Sequence, residues 1–502
     1  MTEKSRSQNA KRNIVYGYIA HIGVYLLSFI GRKIFLLYLS ADYLGINGLY
    51  TNILTVLSLA ELGIDSAFVF SLYKPVAERN YDLVNSLLEF FKKIYFVIAT
   101  GLFVIGLAVI PFLKFLIDSD ISQGDLIFYY VVFLFNMVIT YFVAHKIALF
   151  AAFQEQRFQR LFMLLSNFLL QIVQIIVLII FGDYRFYVLS STLIAVLYNI
   201  VISIAAKRFY PDVFKARKDV LFNKKEIFKR IRATFLYKLG SVLINSTDNI
   251  LISALAGISL VGLYSNYYSV ISTFTGLIAI INASLITGIG NMAVKESNDS
   301  QKSLFDMMIL IYHLIAALGF IGFSLLFNDL ITVWLGAEYL LGTDTVYIIA
   351  LNFYLTYAIA PIWIFREANG LFDEVKYVLL IRAAINIVLS IILGKMFGIF
   401  GILLATTISL ILTNLWYEPK VLSKKALHGI TKSYWRKQLR FFLLTVICFM
   451  MCFFIMSFLG SGWIYLIIKA LVVCSITVFV FYITNFKTPE YIKLKQYFVK
   501  KH

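Results

Sequence analysis

Charge is scarce in this sequence. Only 14% of its 502 residues are Asp, Glu, Lys or Arg, while 61% are hydrophobic. Soluble domains carry roughly a quarter charged residues, so a water-facing globule could not hide this much apolar surface. Proline is nearly absent, at six residues, and polar tracts are few, which leaves no room for a disordered arm. Cysteine is limited to Cys448, Cys452 and Cys474, all inside apolar runs, so neither a disulfide framework nor a zinc site is implied. The five histidines, His21, His145, His313, His428 and His502, are scattered without ligand spacing. No metal or cofactor is expected.

What the chain does have is long apolar runs, and its mean hydropathy is +0.84. Runs of 18 or more such residues read as membrane helices. Fourteen are expected, at roughly 13–39, 44–72, 94–113, 126–144, 161–181, 186–206, 233–255, 261–291, 304–327, 346–365, 377–394, 398–416, 441–458 and 463–484. The basic N-terminal "MTEKSRSQNAKR" precedes a run too long for a signal-peptide core, so that run is expected to stay as the first span. Several runs exceed the roughly 20 residues needed to cross, which predicts tilt or protrusion.

A formal net charge of +18 would point a soluble protein toward nucleic acid. Its distribution points elsewhere. With the N-terminus inside, the cytoplasmic segments hold 37 of the 45 Lys and Arg residues. The outer loops hold Lys114, Arg185 and Lys395, and carry acids such as Asp118, Asp120, Asp183 and Asp344. The bias predicts a cell (cytoplasmic) membrane protein with both termini in the cytoplasm, and it removes the need for a nucleic-acid partner.

The chain also repeats itself. "GLYTN" at 48–52 nearly recurs as "GLYSN" at 262–266, "VAERN" at 76–80 parallels "VKESN" at 294–298, and "IYFVIATGLF" at 94–103 parallels "IYHLIAALGF" at 311–320. The first pair is offset by 214 residues and the others by about 217, a drift attributed here to small insertions. Six spans separate the copies, an even number, so the halves are parallel repeats with a symmetry axis along the membrane normal. The expected organisation is a six-helix lobe at 1–206, a basic linker at 207–232 and a second six-helix lobe at 233–416. A second basic linker at 417–440 and two further helices at 441–502 follow. The fold class is an all-α, two-lobe membrane bundle. Short outer loops leave no domain to house an enzyme, so a transporter is expected.

Two segments carry a resemblance. "GRKIFLLYLSADYLGINGLYTNILTVLSLAELGIDSAFVFSLYKPVAERN" (31–80) and "STDNILISALAGISLVGLYSNYYSV" (246–270) resemble the openings of the two lobes of Wzx-type polysaccharide flippases. These are found in Gram-positive capsule and exopolysaccharide clusters and belong to the multidrug/oligosaccharidyl-lipid/polysaccharide exporter superfamily. The resemblance implies a flippase that moves an undecaprenyl-pyrophosphate-linked oligosaccharide to the outer leaflet by alternating access. It also implies polysaccharide polymerase and glycosyltransferases as pathway partners. Related lipid II flippases have two helices beyond a twelve-helix core, a pattern that 441–502 fits.

Arg32 and Lys33 lie inside apolar sequence, where a central charge costs at least ~2.5–3.5 kcal/mol. The functional reading lines a cavity with them and pairs them with pyrophosphate, for which the planar arginine fork suits Arg32 better; the bland reading lets them snorkel. Lys238 and Arg382 are weaker cavity candidates near cytoplasmic ends, and Lys469 is expected to snorkel outward. Glu61 and Asp65, at i and i+4, share a face of span two across Gly63. Asp248 is the approximate repeat counterpart of the Arg32–Lys33 region. The three carboxylates form either an inter-lobe ion pair or an ion-coupling site. Tyr50 and Tyr264 are candidates for stacking on sugars, against a plain packing role; Gly48 and Asn52 are read as turn residues, and Pro75 as the stop of span two. The competing function is an ion-coupled multidrug or metabolite exporter, which a carboxylate-dominated cavity would favour.

Overall fold

The structure, a computed structural model, describes residues 23–499 except Leu62, 217–219 and Glu296. Side chains are described for all of these but Ala60, 497–499 and scattered positions between 229 and 296, Lys238 among them. The described residues form helices and no strand. Among the described residues, ten helices are long and apolar enough to cross a membrane when Lys376–Lys425 is counted once. That stretch contains two passes, since Gly398 leaves helical geometry at φ 58°, ψ −138°. The helix at 23–38, the broken helix between Ala41 and Ala77, and Lys224–Ala256 complete fourteen passes.

In chain order the helices are α1 (23–38), α2 (Ala41–Leu57), α3 (Ile64–Ala77), α4 (Tyr81–Leu116), α5 (Gln123–Ala152), α6 (Gln156–Phe181) and α7 (Tyr184–Phe209). Then come α8 (Lys224–Ala256), α9 (Ile258–Lys295), α10 (Asn298–Trp334), α11 (Thr343–Ala358), α12 (Ala360–Ala368) and α13 (Lys376–Leu412). The last are α14 (Asn414–Lys425), α15 (Thr431–Met456), α16 (Trp463–Asn485) and α17 (Pro489–Val499). Polar residues start several of them. Asn80, Ser122, Asp183 and Ser297 each accept a hydrogen bond from a backbone N–H in the first turn of α4, α5, α7 and α10, which satisfies donors the helix itself cannot. Gly182, at φ 57°, ends α6 in the left-handed conformation that favours glycine.

Span two departs from its expected course. It starts at Ala41, so Gly48 and Asn52 sit inside α2, where the Asn52 amide donates to the Gly48 carbonyl at 2.8 Å. A 3-10 turn at Ser58–Glu61 and Gly63 at φ 92° break the span before α3. Pro75 does not stop the helix, which runs on to Ala77 and ends where Arg79 takes φ 55°.

The structure also corrects the register of the repeat. α2 and α9 begin at Ala41 and Ile258, and α4 and α10 at Tyr81 and Asn298, an offset of 217 in both cases. In this register Gly45 matches Gly262 and Tyr50 matches Tyr267. Tyr50 and Tyr267 are both fully buried, and each hydroxyl reaches the backbone near the start of the fourth helical pass of its own copy. Tyr50 Oη donates to the Leu126 carbonyl at 2.9 Å, and Tyr267 Oη accepts from Leu341 N–H at 3.0 Å. The "GLYTN"/"GLYSN" identity is a three-residue slip.

The chain divides into two compact units, up to Val242 and from Leu243. In the first, α5 packs against α3, α4 and α7, and α6 packs on α7. In the second, α10 packs against α11, α15 and α16. The last two membrane helices are fastened to α10 along its length. Cys448, Cys452, Met456 and Val473 pack around Ile321. Lys469 Nζ meets Asp329 at 2.5 Å toward one end, and Lys437 Nζ meets Asp306 at 2.7 Å toward the other. Lys469 is 8% exposed; it is paired within the protein rather than snorkelling.

Candidate functional site

In the first unit the helix break carries the chemistry. The 3-10 turn ends on Glu61, Gly63 redirects the chain, and Asp65 sits in the first turn of α3. Both carboxylates reach buried tyrosines on neighbouring helices. Tyr95 on α4 donates to Asp65 Oδ1, and the Tyr141 hydroxyl on α5 hydrogen-bonds Glu61. Tyr95 and Tyr141 are 1% and 4% exposed, whereas Asp65 is exposed and Glu61 half-buried. The tyrosines therefore anchor the carboxylates from the core side while the acids face outward. Such an arrangement places two tyrosine-anchored carboxyl side chains at a helix break. The helix is interrupted between them, so Glu61 and Asp65 do not lie on one continuous helical face as their i, i+4 spacing predicts.

On α1, Gly31 packs near Gln171 and Ile175 of α6, and Phe35 packs edge-on against Tyr184 and Tyr187 of α7. Arg32 is half-buried beside Tyr187, and Lys33 is exposed. Tyr50 faces Tyr130 and Phe133 at 5.3 and 5.6 Å between centroids, so its ring is spent on packing within the unit. Stacking on a sugar would require that core to open.

The second unit gathers a different set. Asp248 Oδ2 on α8 accepts from Thr406 Oγ1 at 3.3 Å, and Thr406 accepts from the Asn386 amide at 3.0 Å, both on α13. Asp248 Oδ1 and Asn386 Oδ1 are buried without hydrogen-bond partners, as is Ser390 Oγ one turn further along. Arg382, half-buried, lies within electrostatic reach of Glu418 and Asp248. Glu418 on α14 is 5% exposed and pairs with Arg366 Nη1 of α12 at 2.7 Å, and the Asn414 amide also donates to it. Tyr264 is half-buried near Asp248 and tilts against Tyr268 at 6.0 Å. The side chain of Lys238 lies outside the described residues. Asp248 thus has its partner inside its own unit, as do Glu61 and Asp65.

Sequence reading passed over Arg366, Glu418, Asn386 and Thr406. The first two fall one or two residues beyond the expected ends of spans ten and twelve, at 365 and 416, so they read as loop charges. Their helices in fact run past those limits. Asn386 and Thr406 are ordinary polar residues in apolar runs, and only their mutual contact marks them. Among the described residues, no group of three or more His, Cys, Asp or Glu side chains could hold a metal ion.

The fold of this bundle is shared with several solved structures. A lipid II flippase MurJ in an inward closed conformation is similar to it with a TM-score of 0.69 at 15% identity, covering 94% of this chain and 98% of that one. An inward-facing multidrug resistance MATE family transporter is similar at TM-score 0.60 and 14% identity, covering 80% and 96%. A MATE structure in the bent conformation reaches 0.53 at 15% identity, covering 83% and 97%. No protein-family model matches the chain, and no curated protein matches it.

Proposed function

We propose that this protein is a flippase of the Wzx type, moving undecaprenyl-pyrophosphate-linked oligosaccharide repeat units across the cytoplasmic membrane for capsule or exopolysaccharide assembly. The observation that carries this reading is the extent of the structural likeness. The lipid II flippase covers 94% of the chain and the MATE transporter 80%. The 14-point difference is about 70 residues, roughly the length of 431–499. The last two membrane helices fall in that stretch, and they are riveted to α10 rather than loosely appended.

Recognition of pyrophosphate is assigned to Arg32, with Lys33 and Arg382 as further cations. Arg32→Ala should abolish surface polysaccharide at normal protein abundance in the membrane. Arg32→Lys should rescue in part, because an ammonium lacks the bidentate fork. Unchanged export by the Ala variant would reject the assignment. The orientation, both termini cytoplasmic, is tested by reporters fused at residues 220 and 342, which should report inside and outside respectively.

Ion coupling at Asp248 is a second element of this reading. Its Oδ1 is buried without a hydrogen-bond partner, as are Asn386 Oδ1 and Ser390 Oγ on α13. Hard oxygen donors of this kind suit a small cation. The alternative drive is the membrane potential, which acts at about 2.3 kcal/mol per charge per 100 mV on moving cavity cations. Proteoliposomes with the potential clamped separate the two. If flipping stops on removal of a sodium or proton gradient, and Asp248→Asn abolishes that dependence, Asp248 is the coupling group. If flipping persists, the potential is the drive and the carboxylates are structural.

A further inference from the structure

The first unit contains a groove that neither carboxylate site uses. It measures about 830 Å3 and lies between α4, the start of α3 and the strap 220–224 that leads into α8. Its lining changes character along α4. Asn85, Ser86, Glu89 and Lys93 come first, then Ile94, Val97 and Ile98. The fourteen residues of helix from Asn85 to Ile98 span roughly 20 Å. That length covers a headgroup plus much of one leaflet of a ~30 Å hydrocarbon core. The volume falls in the ~300–1,000 Å3 range of small-ligand sites.

The strap is held in place by specific contacts. Val220 N–H donates to Ser86 Oγ at 2.9 Å, and Phe222 packs edge-on against Phe90 at 5.3 Å. Lys224 Nζ stands 5.3 Å from the centre of the Phe90 ring. Glu89 is already paired with Lys92 at 3.1 Å, so the polar end of the groove presents Lys93 and Lys224 as its uncompensated charges. Two apolar residues of the groove face out of the protein. Leu221 on the strap is 99% exposed, and Val97 in the groove wall is 69% exposed. A fully exposed leucine beside lysines is the pattern of a segment seated in a membrane interface.

We infer that this groove binds an anionic phospholipid, with its phosphate between Lys93 and Lys224 and an acyl chain along Ile94, Val97 and Ile98. The bound lipid would fix the strap against α4. Basic juxtamembrane pockets attract anionic headgroups by about fivefold per lysine, and the apolar half of the groove excludes a water-soluble phosphate as its natural occupant. The site is independent of what the protein transports.

The test is native mass spectrometry of the full-length protein released from vesicles of phosphatidylglycerol and phosphatidylcholine. Wild type should retain phosphatidylglycerol in preference to phosphatidylcholine. The double variant Lys93→Ala/Lys224→Ala should lose that preference by at least tenfold, while Lys424→Ala/Lys432→Ala, which removes exposed lysines of the second unit, should keep it. Val97→Trp fills the groove from its lipid-facing wall without touching a charge, and should lower retention of the lipid at unchanged melting temperature. Millimolar glycerol phosphate should not displace the lipid. Equal retention in both groove variants, retention of phosphatidylcholine as strong as that of phosphatidylglycerol, or displacement by glycerol phosphate would each overturn the inference.

Discussion

The two units repeat the same scaffold contacts and fill them with different charge. Tyr95 donates to Asp65 in the first unit, and Tyr312 donates to Asn282 in the second, thirty residues apart in each case. A second contact recurs about one helical turn out of that register: the Asn85 amide donates to the Val213 carbonyl at 2.8 Å, and the Asn298 amide donates to the Ala426 carbonyl at 3.0 Å, 128 residues apart in each. At one structural position a carboxylate in the first unit has become an amide in the second. The second unit instead has its acids elsewhere, at Asp248 and Glu418. Duplication thus preserves what holds the helices together, while the ionisable groups are free to differ. The asymmetric positions are where function is to be sought.

The comparison breaks most visibly at the Arg366–Glu418 pair, because the ion pairs described in the first unit are exposed or half-exposed. Arg366→Leu leaves Glu418 buried without its cation and should cost about 3–5 kcal/mol in unfolding free energy. The double variant Arg366→Leu/Glu418→Leu should recover most of that, because apolar replacement of both partners is often neutral. Reversible denaturation in detergent measures both.

Asp65→Asn makes the first unit resemble the second at the shared tyrosine contact. The helices should stay assembled, since an amide oxygen still accepts from Tyr95, and transport should fall at least about tenfold through loss of the charge, a step of ~1.4 kcal/mol. The reverse change, Asn282→Asp, should add no activity. A fully active Asp65→Asn protein would make that carboxylate a scaffold group after all.

Removing the tyrosine hydroxyls ranks the two contacts. Tyr95→Phe takes a hydrogen bond from a charged acceptor and should cost about 1.5–3 kcal/mol, whereas Tyr312→Phe loses a neutral one worth about 0.5–1.5 kcal/mol. The smallest effect is expected where the units agree. Asn85→Ala and Asn298→Ala should each cost about 0.6 kcal/mol, the average for such bonds in membrane helices, and should differ little from each other.

The fold was largely legible because burial in lipid demands long apolar runs, and fourteen such runs are there to be read. Its repeat was legible as well, but in a slipped register. Identical letters at "GLYTN" and "GLYSN" outweighed the positions that packing duplicates, and the helix starts and the burial of Tyr50 and Tyr267 reveal the offset. The break at Gly63 left a visible trace, a glycine between two acids, yet a helical face and a helix interruption look alike at that spacing. Arg366 and Glu418 were hidden for a different reason. Hydropathy marks where apolar sequence ends, not where the helix ends, and this pair lies in the protruding turns between the two. Arg32 stood out at once, since a charge inside an apolar run is costly wherever it points.

The central claim, that this bundle moves a lipid-linked pyrophosphate oligosaccharide rather than a free amphiphile, is tested most directly in proteoliposomes of the purified protein. A short undecaprenyl-pyrophosphate oligosaccharide with a labelled sugar is incorporated, and its exposure is followed with a membrane-impermeant lectin or glycosidase. The account predicts that the fraction reached from outside rises from about half toward completion with wild-type protein and stays near half with Arg32→Ala. A cationic drug-like dye should not be transported. Dye transport with no movement of the lipid-linked sugar would contradict the account and make the protein an exporter of small molecules.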